Sequence, residues 1–475
     1  MLYYTNMIDK IPAHILEVNN KFIAAGYKIY LVGGCVRDLS CGRAIKDWDF
    51  TTNANPSEIL KLFPNGFYDN KFGTVGIPIK NQKSKIKDQN EEGVYEENSV
   101  VEVTTFRTET AYMDRRHPTE VKWGKTVEED LSRRDFTINA MAMEVQDVRL
   151  KTVDSRIIDP YHGQEDIKNK LIRAVGDANL RFKEDALRLM RAIRFATQLA
   201  FHIDEKTLLA IIEDAPLLSE ISKERIRDEF MKILASDYPY EGVMLLKNTN
   251  LLKYIIPQLL EGVDFSQERP GRHHKTDVFT HNLLALKYCP SKNPLVRLAT
   301  LIHDIAKPKV ARRDGEGYVI FYNHEVASAK MAREIADNLR FSKKEKEKIS
   351  TLIRWHMFTV DEHITDAAVR RFIRRIGVEN VRDMMDLRIG DRLGGGTQTA
   401  ESWRLKLFKE RIEKQLAPAP FSISDLAIDG HDIIKELQIK PGPKIGELLQ
   451  KLFEEVDEDL SRNNKDYLLK RMKEM

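Results

Sequence analysis

The spacing of apolar residues divides this chain into stretches of different period. Ile8, Ile11, Ile15, Val18 and Phe22 fall three or four apart, which predicts a helix over residues 1–25 with one buried face. Tyr27–Val32 is rich in β-branched and aromatic residues and predicts a strand ending at Gly33-Gly34, with a helix following from Cys35. Trp48–Thr51 and Val100–Thr105 predict two more strands. Between strand-like runs, residues 80–99 are polar and predict an extended loop or hairpin tip. From about residue 165 the helical period dominates, with breaks at Asp237–Pro239, Glu268–Gly271 and Ala417–Pro420. The pattern therefore predicts an α+β chain: a head with a small mixed sheet, then all-helical regions. The expected divisions are 1–150, 151–266, 267–400 and 401–475. Ser342–Lys348 is a charge run and reads as a solvated helix face.

Composition changes this picture little. The chain has 475 residues, enough for several cores, and its 42% hydrophobic and 31% charged content excludes a disordered protein. A net charge of +3 hides any nucleic-acid surface in the total, so such a surface must lie in local clusters. Cys35, Cys41 and Cys289 form neither a metal nor a disulfide spacing, which implies structural thiols in a reducing compartment. The first residues carry no basic region followed by an apolar stretch, and no long apolar run follows elsewhere. The expectation is a cytoplasmic protein with no membrane partner, either monomer or homodimer.

Candidate chemistry begins in the segment LVGGCVRDLSCGRAIKDWDF, Leu31–Phe50. A glycine pair between a strand and a helix lets backbone N–H groups approach a phosphate. Arg37 and Asp38 follow one turn into that helix. Asp47 and Asp49 stand two apart on a predicted strand, so both carboxylates face one side. Such a pair is costly without a cation, and Mg²⁺ bridging to substrate phosphates is the usual solution. Glu102, in VVEVTTFR, is a candidate third carboxylate, although a solvent-facing strand position also explains it.

This segment resembles the active-site motif of the class II tRNA nucleotidyltransferase and bacterial poly(A) polymerase family, within the polymerase-β-like superfamily. The resemblance implies that Asp47 and Asp49 bind catalytic metal, and that Gly33, Gly34 and Arg37 hold a triphosphate. Three further segments are similar to the same family: Thr105–Trp123 to its flexible loop, Arg133–Ala142 (RRDFTINAMA) to its ribose and triphosphate motif, and Phe182–Ala196 (FKEDALRLMRAIRFA) to its nucleotide-selecting helix. They add Arg133, Arg134, Asp135, Asn139, Arg191 and Arg194 as nucleotide-binding candidates. Ile221–Leu234 resembles a neck helix. Leu426–Leu449 resembles a tRNA-contacting tail, with turns at Gly430, Pro441 and Gly442.

Glu184, Asp185 and Arg188 form the EDxxR core of the third segment. Asp185 and Arg188 are three apart and are expected on one helix face. A carboxylate accepts hydrogen bonds and a guanidinium donates them. Cytosine and adenine both show an amino donor beside a ring-nitrogen acceptor, so one Asp–Arg pair satisfies both. Uracil and guanine reverse that pattern and leave groups unpaired. An exposed ion pair is the competing reading.

Most of the twelve histidines lie between residues 267 and 400. His281, His303-Asp304 and Asp391 follow the order of the HD phosphohydrolase superfamily, which this region resembles. His324 and His356 are candidates in the order used by two-metal HD enzymes. Imidazole with carboxylate suits a divalent transition metal or Mg²⁺. Lys307 reads either as a phosphate contact or as a surface lysine. Some tRNA nucleotidyltransferases carry such a domain, with phosphatase or phosphodiesterase activity in certain members.

The resemblance thus implies a nucleotidyltransferase head, a helical neck, an HD-type domain and a tRNA-binding tail. The implied reaction is template-independent addition of C, C and A from CTP and ATP to the tRNA 3′ end, with HD phosphoesterase activity beside it. A poly(A) polymerase, or an enzyme adding only CC or only A, shares the head motifs. A phosphohydrolase with an RNA-binding head, or an RNA-binding protein without catalysis, belongs to another class. The Asp47/Asp49 pair argues against the first of these, and the two metal constellations together argue against the second.

Overall fold

The structure is a computed structural model that describes residues 7, 9–68, 73–80, 98–109, 121–146, 155–267, 276–358, 363–416 and 422–475. Most of the predicted 80–99 loop, and the breaks at Glu268–Gly271 and Ala417–Pro420, fall outside the described residues. The chain forms two compact units, Met1–Ile255 and Ile256–Met475.

The first unit is built on a seven-stranded mixed sheet. Its strands are β1 (Ile29–Val32), β2 (Asp49–Thr52), β3 (Phe67–Tyr68), β4 (Thr74–Lys80) and β5 (Asn98–Thr105). After a separate hairpin of β6 (Arg107–Glu109) and β7 (Val121–Trp123) come β8 (Ala142–Val145) and β9 (Ser155–Ile158). The spatial order is β3-β4-β5-β2-β1-β8-β9. Only β2 and β5 run parallel among these pairs, and their register sets Asp49 opposite Glu102. The N-terminal helix is Ala13–Ala24, shorter than the predicted 1–25. Pro12 stands at its N-cap with extended backbone, as a residue that lacks an amide donor can do at a helix start. Ile15, Val18 and Phe22 bury the predicted stripe against Leu31, Val36, Phe50 and Met143, and this core holds β1 and β2 in place.

Below the sheet in sequence, helices Ala178–Glu184, Leu187–Leu199, Lys223–Leu234 and Pro239–Asn248 carry apolar faces of their own. The break expected at Asp237–Pro239 does separate two helices, with Pro239 opening the second.

Among its described residues, the second unit is helical apart from a short hairpin, Arg312–Arg313 with Val319–Ile320, and an isolated bridge between Ser266 and Asp277. Its glycines decide one crossing. Gly390 and Gly394 lie four apart on helix Val381–Gly394, hence on one face. A Cβ at Gly390 would stand 2.6 Å from the Ala285 carbonyl oxygen, and one at Gly394 would stand 2.6 Å from the Ala285 nitrogen. The two backbones touch there with no room for side chains, which draws this helix onto Val278–Tyr288. The charge run at 342–348 opens helix Lys343–Arg354 through a capping box between Ser342 and Glu345, while Lys348 reaches Asp383 at 2.5 Å. Near the end, Leu452, Val456 and Leu468 form a separate small core. Asp457, 1% exposed, receives Arg370 and Arg374 and ties that core to helix Asp366–Ile376. Gly430 is the first residue of helix Gly430–Leu437 rather than a turn residue, because the Asp429 side chain caps that helix.

Candidate active site and candidate metal centre

The head site is a cavity of roughly 620 Å³ lined by Gly33, Gly34, Arg37, Asp47, Asp49, Glu102 and by residues of the 133–139 and 185–195 segments. Gly33 makes the corner between β1 and helix Gly34–Ser40. Its φ of +72° favours glycine, and a Cβ there would meet the Arg134 guanidinium at 2.6 Å. Arg37 is set by Asp38 on one side and by Asn139 Oδ1 at 2.8 Å on the other.

Asp49 opens β2, but Asp47 lies in the irregular segment before it. The two therefore do not share a strand as predicted. β2 begins only where its pairing with β5 begins, at Asp49. All three carboxylates still line the cavity, with Glu102 one strand away from Asp49. Burial, then Glu102, with Asp47 adding to them against Arg134, pushes the Asp49 carboxyl up to about 6. A buried acid crowded by two others is a place that favours a cation.

Positive charge faces these acids. Arg191 pairs with Asp135 at 2.6 Å, and Arg194 with Glu229 at 2.7 Å. Burial would raise the Asp135 carboxyl, but Arg191 and an Asn139 hydrogen bond outweigh it and hold it at about 2. Arg194 is pulled down to about 10 by burial and by Arg191 beside it. Arg37, Arg191 and Arg194 all stand over the Phe195 ring, at 5.1, 5.2 and 4.2 Å from its centre. Arg133 and Arg134 share the fully buried Asp130 at 2.7 and 3.3 Å. Cys35, held up at about 12 by burial, bonds the Val32 carbonyl and is a structural thiol.

Asp185 and Arg188 both line the cavity, but not on one helix face. Helix Ala178–Glu184 ends before Asp185, whose backbone is extended, and a new helix starts at Leu187. The physical reason is local: Asp185 Oδ1 accepts the Leu187 N–H at 3.0 Å, which competes with continuing the helix. Its other oxygen accepts from Arg225 at 2.8 Å. Arg188 donates to Glu184 at 2.5 Å and to the carbonyls of Arg181 and Arg133 at 3.0 Å each. Phe195, Glu229 and Arg225 were not anticipated from the sequence. Glu229 had a signal, because it occupies the buried stripe of Ile226, Phe230 and Ile233.

The second site brings together all six metal candidates of the helical unit. His281 comes from helix Val278–Tyr288, and His303 and Asp304 from the turn after Pro294–Leu301. His324 opens helix His324–Asn338, His356 follows Lys343–Arg354, and Asp391 sits between the two glycines of the close crossing. Asp304 faces two ways. Its Oδ2 lies 3.3 Å from His281 Nε2 and 3.3 Å from His303 Nε2, and its Oδ1 lies 3.2 Å from His324 Nε2 and 3.7 Å from His356 Nε2. Asp391 Oδ1 joins the first pair at 3.3 and 3.5 Å, and its Oδ2 accepts from Arg388 at 2.9 Å.

The tautomers fit a cation. Nδ1 of His303, His324 and His356 each contacts the carbonyl three residues back, at 2.8, 2.8 and 2.7 Å, and so carries the proton. In their neutral form these three rings offer an Nε2 lone pair inward, and His303 Nε2 lies 3.2 Å from His281 Nε2. Buried Asp304 Oδ1 has no hydrogen-bond donor. Burial disfavours a charged His303, yet Asp304 and Asp391 lift it to about 10, while burial and His303 press His356 down to about 3. Lys307 is neither exposed nor a surface lysine; it is 5% exposed and bonds Asp304 at 2.6 Å and Gln267 at 2.8 Å. The glycine pair Gly390/Gly394 went unnoticed in sequence, although its four-residue spacing around Asp391 was the available signal.

Three family models match the chain: "Poly A polymerase head domain" over residues 29–173, "Probable RNA and SrmB- binding site of polymerase A" over 200–262, and tRNA nucleotidyltransferase domain 2 over 318–472. A CCA-adding enzyme of Geobacillus kaustophilus is 45% identical over 231 residues, 48% of this chain and 51% of that protein. That match thus spans about half the relative's length. A CCA-adding enzyme of Limosilactobacillus reuteri is 32% identical over 98% of both chains. The Bacillus stearothermophilus CCA-adding enzyme in complex with CTP superposes with a TM-score of 0.65 at 26% identity, over 97% of this chain and 96% of that one. A Thermotoga maritima CCA-adding enzyme complexed with tRNA shares the fold, with a TM-score of 0.57 at 19% identity and coverage of 98% and 97%.

Two outcomes are expected from this geometry. The raised Asp49 carboxyl stabilises the metal-free fold below about pH 4, and that contribution is lost as pH rises through about 6. Mg²⁺ needs the ionised form, so the Mg²⁺-induced rise in Tm lost on Asp49→Asn substitution should be larger near pH 7.5 than near pH 5. An equal loss at both pH values contradicts the crowding of Asp49. Separately, Gly394→Val must part helix Val381–Gly394 from Ala285 and carry Asp391 away from His281. Elemental analysis should find less bound transition metal than in the parent, with the head's nucleotide binding unchanged; parent-level metal content removes the close crossing from the site's assembly.

Proposed function

This chain belongs to the CCA-adding enzyme family, and from that we propose that it adds C, C and A from CTP and ATP to the 3′ end of tRNA without a nucleic-acid template. The observation that carries the reading is the cavity in which Asp47, Asp49 and Glu102 face Arg37, Arg191 and Arg194 across the glycine turn. The tRNA 3′-hydroxyl attacks the nucleotide's α-phosphate and pyrophosphate leaves. Bound to Asp47 and Asp49, with Glu102 beside them, Mg²⁺ would activate the hydroxyl and neutralise the leaving pyrophosphate. The arginines supply fixed positive charge for the triphosphate. Their guanidiniums are already aimed by Asn139, Asp135 and Glu229, so little reorganisation is required on binding. Arg133 and Arg134, braced by Asp130, line the ribose side. Gly33 and Gly34 leave room for the nucleotide phosphates beside the backbone.

Asp185 and Arg188 select the base. Asp185 accepts from the amino group that cytosine and adenine share, and Arg188 donates to the ring nitrogen. The Arg225 and Leu187 contacts of Asp185 fix that carboxylate beforehand.

The helical unit supports a second activity, metal-dependent phosphoester hydrolysis. Its carrying observation is Asp304, which divides four histidines into two pairs. Two divalent cations in that arrangement would activate a water against phosphorus. The functional parts are a nucleotidyltransferase head at 1–150, a neck and body at 151–266, an HD-type domain at 267–400 and a tRNA-binding tail at 401–475.

The two chemistries should separate. Asp49→Asn is expected to lower CTP incorporation into tRNA lacking CCA by at least about a hundredfold, several kcal/mol, while hydrolysis of p-nitrophenyl phosphate with Mn²⁺ persists. His303→Ala should do the reverse. Loss of both activities in either folded variant unites what is here divided. For base choice, Arg188→Ala should lower kcat/KM for CTP and ATP and weaken discrimination against UTP and GTP by about 1–3 kcal/mol. Unchanged ratios among the four nucleotides, in a variant that melts like the parent, would leave Arg188 a brace and nothing more.

A further inference from the structure

Beside the six-residue cluster the helical unit carries a second groove that neither chemistry uses. The cluster opens into a cavity of roughly 550 Å³. A second cavity of roughly 470 Å³ adjoins it, and the two share Met357 and Arg388. Its walls hold Arg388, Arg392 and Arg404, and no carboxylate among the described residues. Arg388 is committed to Asp391. Among the described residues, Arg392 and Arg404 make no ion pair, and Arg392 Nε is buried without a hydrogen-bond partner. Trp403 stands in the same groove with 59% of its surface exposed, and the Arg404 guanidinium lies 5.2 Å from its ring centre. Met357 is 57% exposed at the junction.

Arginines without acidic partners are costly to keep together unless an anion passes between them. A large exposed indole flanked by arginines is a stacking platform for planar groups. Repeating anion and repeating planar ring together describe a single-stranded nucleic acid. A free mononucleotide would fill the first cavity and leave the second without use.

We propose that this groove binds the last nucleotides of a single-stranded RNA and leads its terminal phosphate to the six-residue cluster. The proposal rests on the phosphoester-hydrolysis reading and names its substrate class: a phosphorylated RNA end, not a free nucleotide. Bases stack on Trp403, and Arg392 and Arg404 take backbone phosphates. At the cluster a water oxygen bonds to phosphorus as the P–O3′ bond breaks. The proton released by that water goes to the departing O3′, which leaves as a hydroxyl, and inorganic phosphate is the other product.

The test compares two substrates of the full chain with Mn²⁺: p-nitrophenyl phosphate, and a single-stranded RNA of about eight nucleotides with a 3′-terminal phosphate. Trp403→Ala, and Arg392→Gln with Arg404→Gln, lie outside the lining of the first cavity. Each should raise the RNA KM by about tenfold or more, leave the RNA kcat near the parent's, and leave p-nitrophenyl phosphate hydrolysis within about twofold. An unmoved RNA KM, or equal losses on both substrates, overturns the groove. If the parent hydrolyses neither substrate, the hydrolysis reading fails by itself. The groove is then decided by cross-linking the same RNA, carrying 4-thiouridine, to the full chain. An adduct on the peptide containing Trp403 that is lost in the double arginine variant supports it, and no adduct there overturns it.

Discussion

Both sites depend on backbone brought closer than any side chain allows. At the head, Gly33 turns the chain from β1 into its helix with no Cβ to push Arg134 away, and Arg134 is one of the groups that face Asp49. In the helical unit Gly390 and Gly394 let one helix lie on the backbone of another at Ala285, which sets Asp391 within 3.3 Å of His281. Neither approach is driven by a strong attraction at the site itself. The buried cores beside them supply the force, through Phe22, Leu31 and Phe50 in one case and Leu283, Leu286 and Leu387 in the other. Packing thus imposes proximity on charged groups that would separate in water.

The electrostatic result differs between the two sites for a clear reason. Asp49 is crowded by Glu102 and Asp47 and is driven up to about 6. Asp304 and Asp391 are buried as well, but His303 with Lys307 at Asp304, and His281 and His303 with Arg388 at Asp391, hold both far below the usual carboxylate range. In the head the acids crowd one another, with Arg134 the cation that draws Asp49 down. The helical cluster keeps its carboxylates ionised at any ordinary pH, and its histidines compete over the balancing proton or cation. The difference lies in what crowds each carboxylate: other acids at Asp49, imidazoles and a lysine at Asp304.

Much of this was legible in the sequence. Periodicity located β1, β2 and β5, and the order of His281, His303-Asp304, His324, His356 and Asp391 named every member of a cluster gathered from five segments. What failed was local backbone detail. A two-residue spacing suggested one strand for Asp47 and Asp49, yet strand pairing starts only at Asp49. A three-residue spacing suggested one helix for Asp185 and Arg188, yet the Asp185 carboxylate took the Leu187 amide and ended it. The first error ignores where the partner strand begins, and the second treats Asp185 as a passenger on regular backbone that its carboxylate in fact bonds and ends. Sequence leaves Lys307 between a phosphate contact and a surface lysine; the structure buries it against Asp304 and against Gln267, forty positions away, a contact no local pattern shows.

The break at Asp185 bears on the cost of the base selection proposed for Asp185 and Arg188. On one continuous helix, Asp185 and Arg188 would be each other's neighbours and could satisfy one another in the empty site. Instead Asp185 is held by Arg225 at 2.8 Å and Arg188 by Glu184 and two carbonyls. Separate anchoring keeps the two groups from closing into an ion pair that a base would have to open. It also gives each a fixed direction, so that in the proposed selection a base would meet one acceptor and one donor already in place. In that reading the limit on affinity lies in Arg188, whose guanidinium would add a ring nitrogen to three existing partners. Weak binding of the base with a strict pattern is the expected compromise, because a site that accepts two different bases gains from rejecting the wrong edges more than from holding either right one tightly.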